Sequence, residues 1–188
     1  MGTPVDYGDM VEIQMEPIEV DEIVERIKEM PENGLMVEWG SGGSTVKWLE
    51  TMTSNQRLIT IEHDEKWYNK VGNYISSRPE LLDKFEAYYH AADMKLVEHP
   101  ISTPYEEHPM GMDNYFLPDK RILDADFFFI DGISRAAVAF IVKYASTKPN
   151  PIIYIHDHWQ GRDVWYSWAT QFYDKKEQGA ISLMRLYK

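Results

Sequence analysis

Leu35-Met36-Val37-Glu38-Trp39-Gly40-Ser41-Gly42-Gly43-Ser44-Thr45 reads as a buried strand that ends in an acid, turns on glycines and opens a helix with a hydroxyl pair. Glycine lets the backbone take positive φ and come close to a ligand with no Cβ in the way. A helix starting at Ser44 or Thr45, either of which can cap it, presents free N–H groups to an electron-rich group. About 20 residues on, the usual offset for a ribose-binding acid, Leu58-Ile59-Thr60-Ile61 reads as a second strand with Glu62 at its end. Two strand ends that each deliver a carboxylate beside a glycine turn suit a ligand with a ribose and a charged or polar tail. Glu62 is followed by His63, Asp64 and Glu65, so a solvated acidic helix start is the competing reading of that acid.

The same alternation runs outward in both directions. Upstream, Ile23, Val24, Ile27 and Met30 fall at helical spacing between Pro17 and Met30, and Pro31-Glu32-Asn33-Gly34 ends that helix. Downstream, Trp67, Tyr68, Val71, Tyr74 and Ile75 mark a third helix, and Phe85–His90 a third strand. Asp126-Phe127-Phe128-Phe129-Ile130 is an apolar run that suits a strand buried on both faces. A helix from Ala136 to Tyr144, a strand Ile152–Ile155, a helix around Val164–Tyr173 and a last strand Ile181–Tyr187 follow. This order predicts an α/β fold, a doubly wound and mostly parallel sheet, in a single domain over 1–188. Ligands of such sheets bind at the carboxyl ends of the strands, where the polar residues collect here. A polar N-terminal extension covers 1–16, and an aperiodic stretch over 98–121 reads as a long acceptor-side loop carrying Tyr105, His108, Met110 and Tyr115.

Composition narrows the function classes. The formal charge is −12, from 31 acids against 19 bases, with no run of Lys and Arg to track a phosphate backbone. Nucleic acid and an anionic membrane surface are therefore not expected as partners. There is no cysteine, which removes disulfides, zinc–thiolate sites and a cysteine nucleophile. The first residues carry neither a basic region nor an apolar run, and no apolar stretch reaches the ~18 residues of a membrane span. A cytoplasmic protein acting on a small molecule is the expectation; oligomeric state is not legible.

Glu38-x-Gly40-x-Gly42 at the end of the first strand, with Glu62 at the end of the second, resembles the class I S-adenosylmethionine-dependent methyltransferases. The resemblance extends from about Met30 to the C-terminus in the order of elements. It implies a Rossmann-like methyltransferase fold with S-adenosylmethionine as cofactor. Gly40, Ser41, Gly42, Ser44 and Thr45 would line the turn under its methionine part, with Glu38 at the acid position of the first motif. Glu62, with His63 beside it, would take the ribose, and Asp93 in Ala91-Ala92-Asp93 would lie near the adenine. The family's third glycine is displaced, since Gly43-Ser44 stands where the pattern has x-Gly.

Asp131-Gly132-x-x-Arg135 and His156-Asp157-His158, each after a strand, look like the small-molecule O-methyltransferase branch, catechol-type or sugar. There an Asp after the fourth strand and an Asp-Asn or Asp-Asp pair after the fifth hold a divalent metal. Asp131 and Asp157 match, and His158 replaces the second member of the pair. Asp131, Asp157 and His158 are thus the candidate catalytic residues and the candidate ligands of Mg or Mn, with Asp131 also near the cofactor. Arg135, one helical turn beyond Asp131, is equally readable as that acid's structural ion-pair partner. The catechol-type Lys base is absent; Ser134 stands there. The implied activity is O-methylation of a small hydroxylated acceptor such as a sugar. Two other readings remain open: an NAD-dependent oxidoreductase, although Thr45 occupies the place of its third glycine, and a non-catalytic cofactor-binding module of the same fold.

Overall fold

A computed structural model describes residues 13–91, 113–158 and 163–188. Helix α1 (Pro17–Glu29) leads into β1 (Leu35–Trp39), α2 (Gly43–Thr51), β2 (Arg57–Glu62), α3 (Glu65–Ser76), the single turn α4 (Pro79–Leu82) and β3 (Phe85–Tyr89). After α5 (Asp113–Phe116) and a 3-10 turn at Lys120–Asp124 come β4 (Phe127–Ile130), α6 (Arg135–Ala145), β5 (Ile152–Ile155), α7 (Asp163–Thr170), β6 (Lys175–Gln178) and β7 (Met184–Tyr187). The strands form one seven-stranded sheet in the order β3-β2-β1-β4-β5-β7-β6. All pairs from β3 across to β5 are parallel, whereas β7 runs antiparallel to both β5 and β6. The chain leaves β1 for β2 and β3 on one side and returns to place β4 on the other, so the strand order reverses between β1 and β4. Crevices at such reversals are where open α/β sheets bind ligands.

The apolar run of β4 is uninterrupted because both faces of this central strand are covered. Successive side chains alternate across a strand. Phe127 and Phe129 join Ile23, Ile27, Trp48 and Leu49 under α1 and α2, while Phe128 and Ile130 join Tyr115, Val138 and Tyr166 under α5–α7. Each of the four β4 side chains is fully buried, and removing a buried phenylalanine typically costs about 3–5 kcal/mol.

Several boundaries differ from expectation. The C-terminal strand is shorter than Ile181–Tyr187, and Lys175–Gln178 forms an additional edge strand β6. Its Lys-Lys-Glu-Gln sequence has no apolar period because it sits at the margin of the sheet, where charge discourages pairing with another chain. Residues 113–121 are not an irregular loop, since they contain α5 and the start of the 3-10 turn, and Tyr115 is a core residue at 1% exposure. Of the residues that the sequence singles out, Asp93, Tyr105, His108 and Met110 lie outside the described residues, as does 1–12 of the N-terminal extension. Among the described residues, no helix is long and apolar enough to cross a membrane.

Candidate active site

At the reversal, the backbones of Gly40 and Gly132 meet. Gly40 has φ +93°, and a Cβ there would lie 2.8 Å from the Gly132 nitrogen. A Cβ on Gly132 would in turn collide with the Tyr115 hydroxyl and stand 3.1 Å from the Gly40 nitrogen. This contact aligns the carboxyl ends of β1 and β4 around an open cleft of about 290 Å³. One wall carries the glycine turn, Glu62, His63 and Trp67, the other Asp131, Ile133, Arg135, His156 and Asp157, with Gln14 and Met15 also at the surface of the cleft.

The glycine turn and the acid of β2 form one unit. Ser41 donates to Glu62 Oε2 from its backbone N–H (2.6 Å) and from its hydroxyl (2.9 Å). Oε1 accepts the backbone N–H groups of His63 (2.7 Å) and Asp64 (2.8 Å). Glu62 is only 2% exposed, so it is no solvated helix-start acid; Asp64 caps α3 instead, accepting from the Trp67 N–H. Burial alone would raise the Glu62 pKa, but hydrogen bonds from His63, Asp64 and Ser41 overcome it and hold the carboxyl below its ordinary range. The group is thus an anion in the cleft wall. Next to Ser41 in the turn, Gly42 has open space around its Cβ position. That gap in the wall is what close approach of a ligand to the backbone requires.

No protein-family model and no curated protein sequence matches this chain. Solved structures do. A methyltransferase-like protein from Silicibacter pomeroyi superposes with a TM-score of 0.68 at 21% identity, over 94% of this chain and 87% of that one. A putative caffeoyl-CoA O-methyltransferase from Staphylococcus aureus gives 0.63 at 14% identity, over 94% and 85%. The O-methyltransferase TomG from Streptomyces achromogenes, solved in complex with SAM, gives 0.59 at 10% identity, over 95% and 82%. The fold is that of the class I S-adenosylmethionine-dependent methyltransferases. The antiparallel β7 inserted between β5 and β6 also distinguishes this methyltransferase fold from the 3-2-1-4-5-6 order of dinucleotide-binding domains.

Within the methyltransferase fold, the residues expected at the cofactor divide into two layers. Gly40, Ser41, Gly42, Ser44, Glu62, His63 and Asp131 line the cleft. Glu38 and Thr45 do not; they lie behind it. Glu38 is fully buried and accepts from Thr45 Oγ1 (2.8 Å), Trp48 Nε1 (2.9 Å), Thr60 Oγ1 (3.3 Å) and Ser44 Oγ (3.4 Å). Its carboxyl therefore clasps α2 to β1 and β2 rather than facing a ligand. Burial pushes its pKa up to about 8, against the pull of the Thr45 hydrogen bond and with a further push from Asp131. The helix also begins earlier than expected, at Gly43, and Gly42 rather than Ser44 or Thr45 is the N-cap. Thr45 serves the turn from inside the helix, its hydroxyl accepting the Gly42 N–H at 2.9 Å.

On the acceptor side the histidine assignment is corrected. His158 does not join the aspartates; its ring lies buried 5.3 Å from that of Tyr166, and its backbone N–H donates to Ser182 O. His156 joins them instead, with Nδ1 2.7 Å from Asp131 Oδ1. Asp157 has φ +57°, a left-handed kink that ends the strand's alternation and turns both His156 and Asp157 to the cleft. An acid tolerates this conformation better than most residues. Tyr166 is a core residue.

Arg135 is the residue whose importance the sequence left undecided. Its guanidinium reaches Asp157 Oδ2 at 3.0 Å and Asp131 Oδ1 at 3.4 Å, and donates to the carbonyls of Gly132, His156 and Asp131. Its one-turn offset from Asp131 was the available signal. For a divalent metal, Asp131, His156 and Asp157 each offer a ligand atom, all within 4.8 Å of one another. Yet a guanidinium already bridges the two carboxylates, and both ring nitrogens of His156 face carboxylates, Asp131 at 2.7 Å and Glu19 at 3.5 Å. A metal-bound imidazole must offer a lone pair. As arranged, the three groups pair with one another and with Arg135, and an ion would have to displace the guanidinium and the proton between His156 and Asp131.

Proposed function

We propose that this protein transfers a methyl group from S-adenosylmethionine to an oxygen of a small hydroxylated acceptor such as a sugar. The observation that carries this reading is the Ser41–Glu62 unit, an ionised acid built into the cleft wall beside a glycine turn with open space at Gly42. Glu62 is suited to ribose hydroxyls, and the turn at Gly40–Gly42 to the amino-acid end of the same molecule. Bound there, S-adenosylmethionine would supply an electrophilic methyl on a sulfonium. The protein's part is to place an acceptor hydroxyl in line with it and to take the hydroxyl's proton.

Asp131 and Asp157 are the groups for that proton. His156 is poorly placed to be the base, because its ring is turned to a carboxylate at each nitrogen. Burial would lower its pKa, but the Asp131 hydrogen bond and the charges of Asp131 and Asp157 raise it above the ordinary value. Arg135 keeps the two aspartates from repelling each other at the cleft wall, the task a metal would otherwise perform. The absence of cysteine agrees with a cytoplasmic setting. The test is transfer of a labelled methyl group from S-adenosylmethionine to a panel of sugars and phenols. Product with at least one acceptor, lost in Asp131→Asn, is the expected result; labelled product from none of them, with S-adenosylhomocysteine bound, would leave a binding module.

A further inference from the structure

Helix α6 is apolar on every side: Ala136 to Val142 is an unbroken apolar run, and after Arg135 its one charged residue is Lys143. A helix of that kind is normally covered all round. Yet Tyr144, on its outer face, is 58% exposed. Phe140 and Tyr144 stand one helical turn apart on α6, and Trp168 and Phe172 have the same spacing along α7 and just beyond its end. Trp168 is 41% and Phe172 43% exposed. Phe140 joins the two pairs, its ring 4.8 Å from that of Tyr144, 5.8 Å from Trp168 and 5.6 Å from Phe172. Tyr144 closes the group at 5.9 Å from Phe172. The four rings form one continuous aromatic patch, and contiguous apolar surface of that kind marks an interaction site where scattered single residues do not.

We propose that this patch is the contact face of a homodimer, its occupant being the same patch on a second copy of the chain. Charge is the first argument. The chain holds 31 acids in 188 residues and a formal charge of −12, which keeps copies apart over most of the surface. No acid stands in α6 or between Tyr166 and Tyr173, and Lys143 is already matched by Asp174 at 3.2 Å. Two copies can therefore meet here without setting acid against acid. Area is the second argument. An aromatic side chain covers about 150–250 Å², so the exposed parts of Tyr144, Trp168 and Phe172 offer roughly 300 Å². A standard interface takes about 800 Å² from each partner, with an apolar centre and a polar rim. The patch supplies such a centre, and Lys143 and Gln171 beside it begin the rim. A two-fold axis through the patch makes the contact self-complementary and closed. Tyr144 lies roughly 14 Å along α6 from Arg135 at the cleft wall, and none of the four aromatic residues lines the cleft. The inference is independent of the methyltransferase reading.

The test is sedimentation velocity of the full chain from micromolar concentration upward. The unmodified protein should sediment with twice the 22.0 kDa of one chain. Tyr144→Glu sets acid against acid across the two-fold axis, and Trp168→Ala removes a ring from the centre. Each should weaken dimerisation about 30-fold or more, the scale of an interface hot spot. Both side chains are exposed in the single copy, so circular dichroism should show the fold retained, and Phe172→Ser stands in for either variant that loses it. Ile18→Glu, at an apolar residue of α1 that is 59% exposed, should leave the dimer intact. A monomer at every concentration overturns the proposal, whether another protein or a segment of this chain covers the patch. A dimer that survives Tyr144→Glu or Trp168→Ala, or that Ile18→Glu breaks as readily, has its interface elsewhere and overturns it too.

Discussion

The backbone N–H of Ser41 points at the carboxylate of Glu62 across 2.6 Å, joining the turn after β1 to the end of β2. A glycine turn is pliable by composition, and this bond, with the Ser41 hydroxyl on the same oxygen, gives it one shape before any ligand arrives. Preorganisation of that kind removes part of the ordering cost of binding.

On the proposed reading Glu62 would have two tasks, holding Ser41 and meeting the ribose, that mutation can separate. Glu62→Gln keeps the size and one acceptor oxygen, whereas Glu62→Ala releases the turn as well. Hydrogen bonds to charged groups are worth about 1.5–3 kcal/mol each. Calorimetry should show at least tenfold weaker S-adenosylhomocysteine binding for Glu62→Gln, and a lower melting temperature as well for Glu62→Ala. An unchanged dissociation constant in both would confine Glu62 to holding Ser41.

S-adenosylhomocysteine should raise the melting temperature and NAD should not. At a hundredfold excess over the dissociation constant a ligand stabilises the native state by about 2.7 kcal/mol. A shift with NAD alone would move the assignment to an oxidoreductase.

The two glycines of the turn should respond differently to alanine. At Gly42 there is open space and an extended backbone, so Gly42→Ala should fold with a loss no larger than the ~0.5–2 kcal/mol of a poorer helix cap, yet bind S-adenosylhomocysteine much more weakly. At Gly40 the positive φ and the Gly132 backbone leave no room, and Gly40→Ala should unfold at markedly lower urea concentration. Equal effects on stability and binding at both positions would show that the turn has no ligand of its own.

Glu38 should make stability fall with rising pH. Below its ordinary value of 4.5 the carboxyl is protonated in both states; between there and about 8 the unfolded chain releases the proton while the folded chain keeps it. The native state then binds more protons, so unfolding becomes easier as pH rises through that window, and the effect levels off above it. Urea midpoints from about pH 5 to about pH 9 should drop less for Glu38→Gln than for the unmodified chain. Parallel curves would mean that Glu38 is ionised in the fold, held so by Thr45, Trp48 and Thr60.

Manganese, followed by its paramagnetic resonance, should find no tight site in the unmodified protein, because Arg135 already bridges Asp131 and Asp157. Saturable binding at micromolar metal would show that the guanidinium gives way. A chelator should likewise leave S-adenosylhomocysteine affinity unaltered.

Much of this was legible in the sequence where the signal is local. The apolar run at Phe127–Ile130 betrays a strand covered on both sides, and the offset from Gly42 to Glu62 brings the turn and the acid together. What was not legible depends on single backbone torsions or on distant partners. Strand periodicity cannot say which of His156 and His158 faces the cleft when a positive φ at Asp157 breaks the alternation between them. Glu38 resembles a ligand acid until Trp48 and Thr60 are seen to occupy its oxygens. Nothing near Glu19 in the chain marks it as a neighbour of His156, since the contact spans the sheet's flank.

The meeting of Gly40 and Gly132 has one more consequence. On the proposed reading, the donor's turn and the acceptor's strand would share a wall only a backbone thick, and neither Gly40 nor Gly132 has a side chain to lengthen, shorten or rotate. The separation between the two reactants would thereby be set by main-chain geometry. A change of acceptor would then fall to the rim of the cleft, at positions such as Gln14, Ile133 and Trp67, whose side chains can vary in size without moving the reacting centres apart.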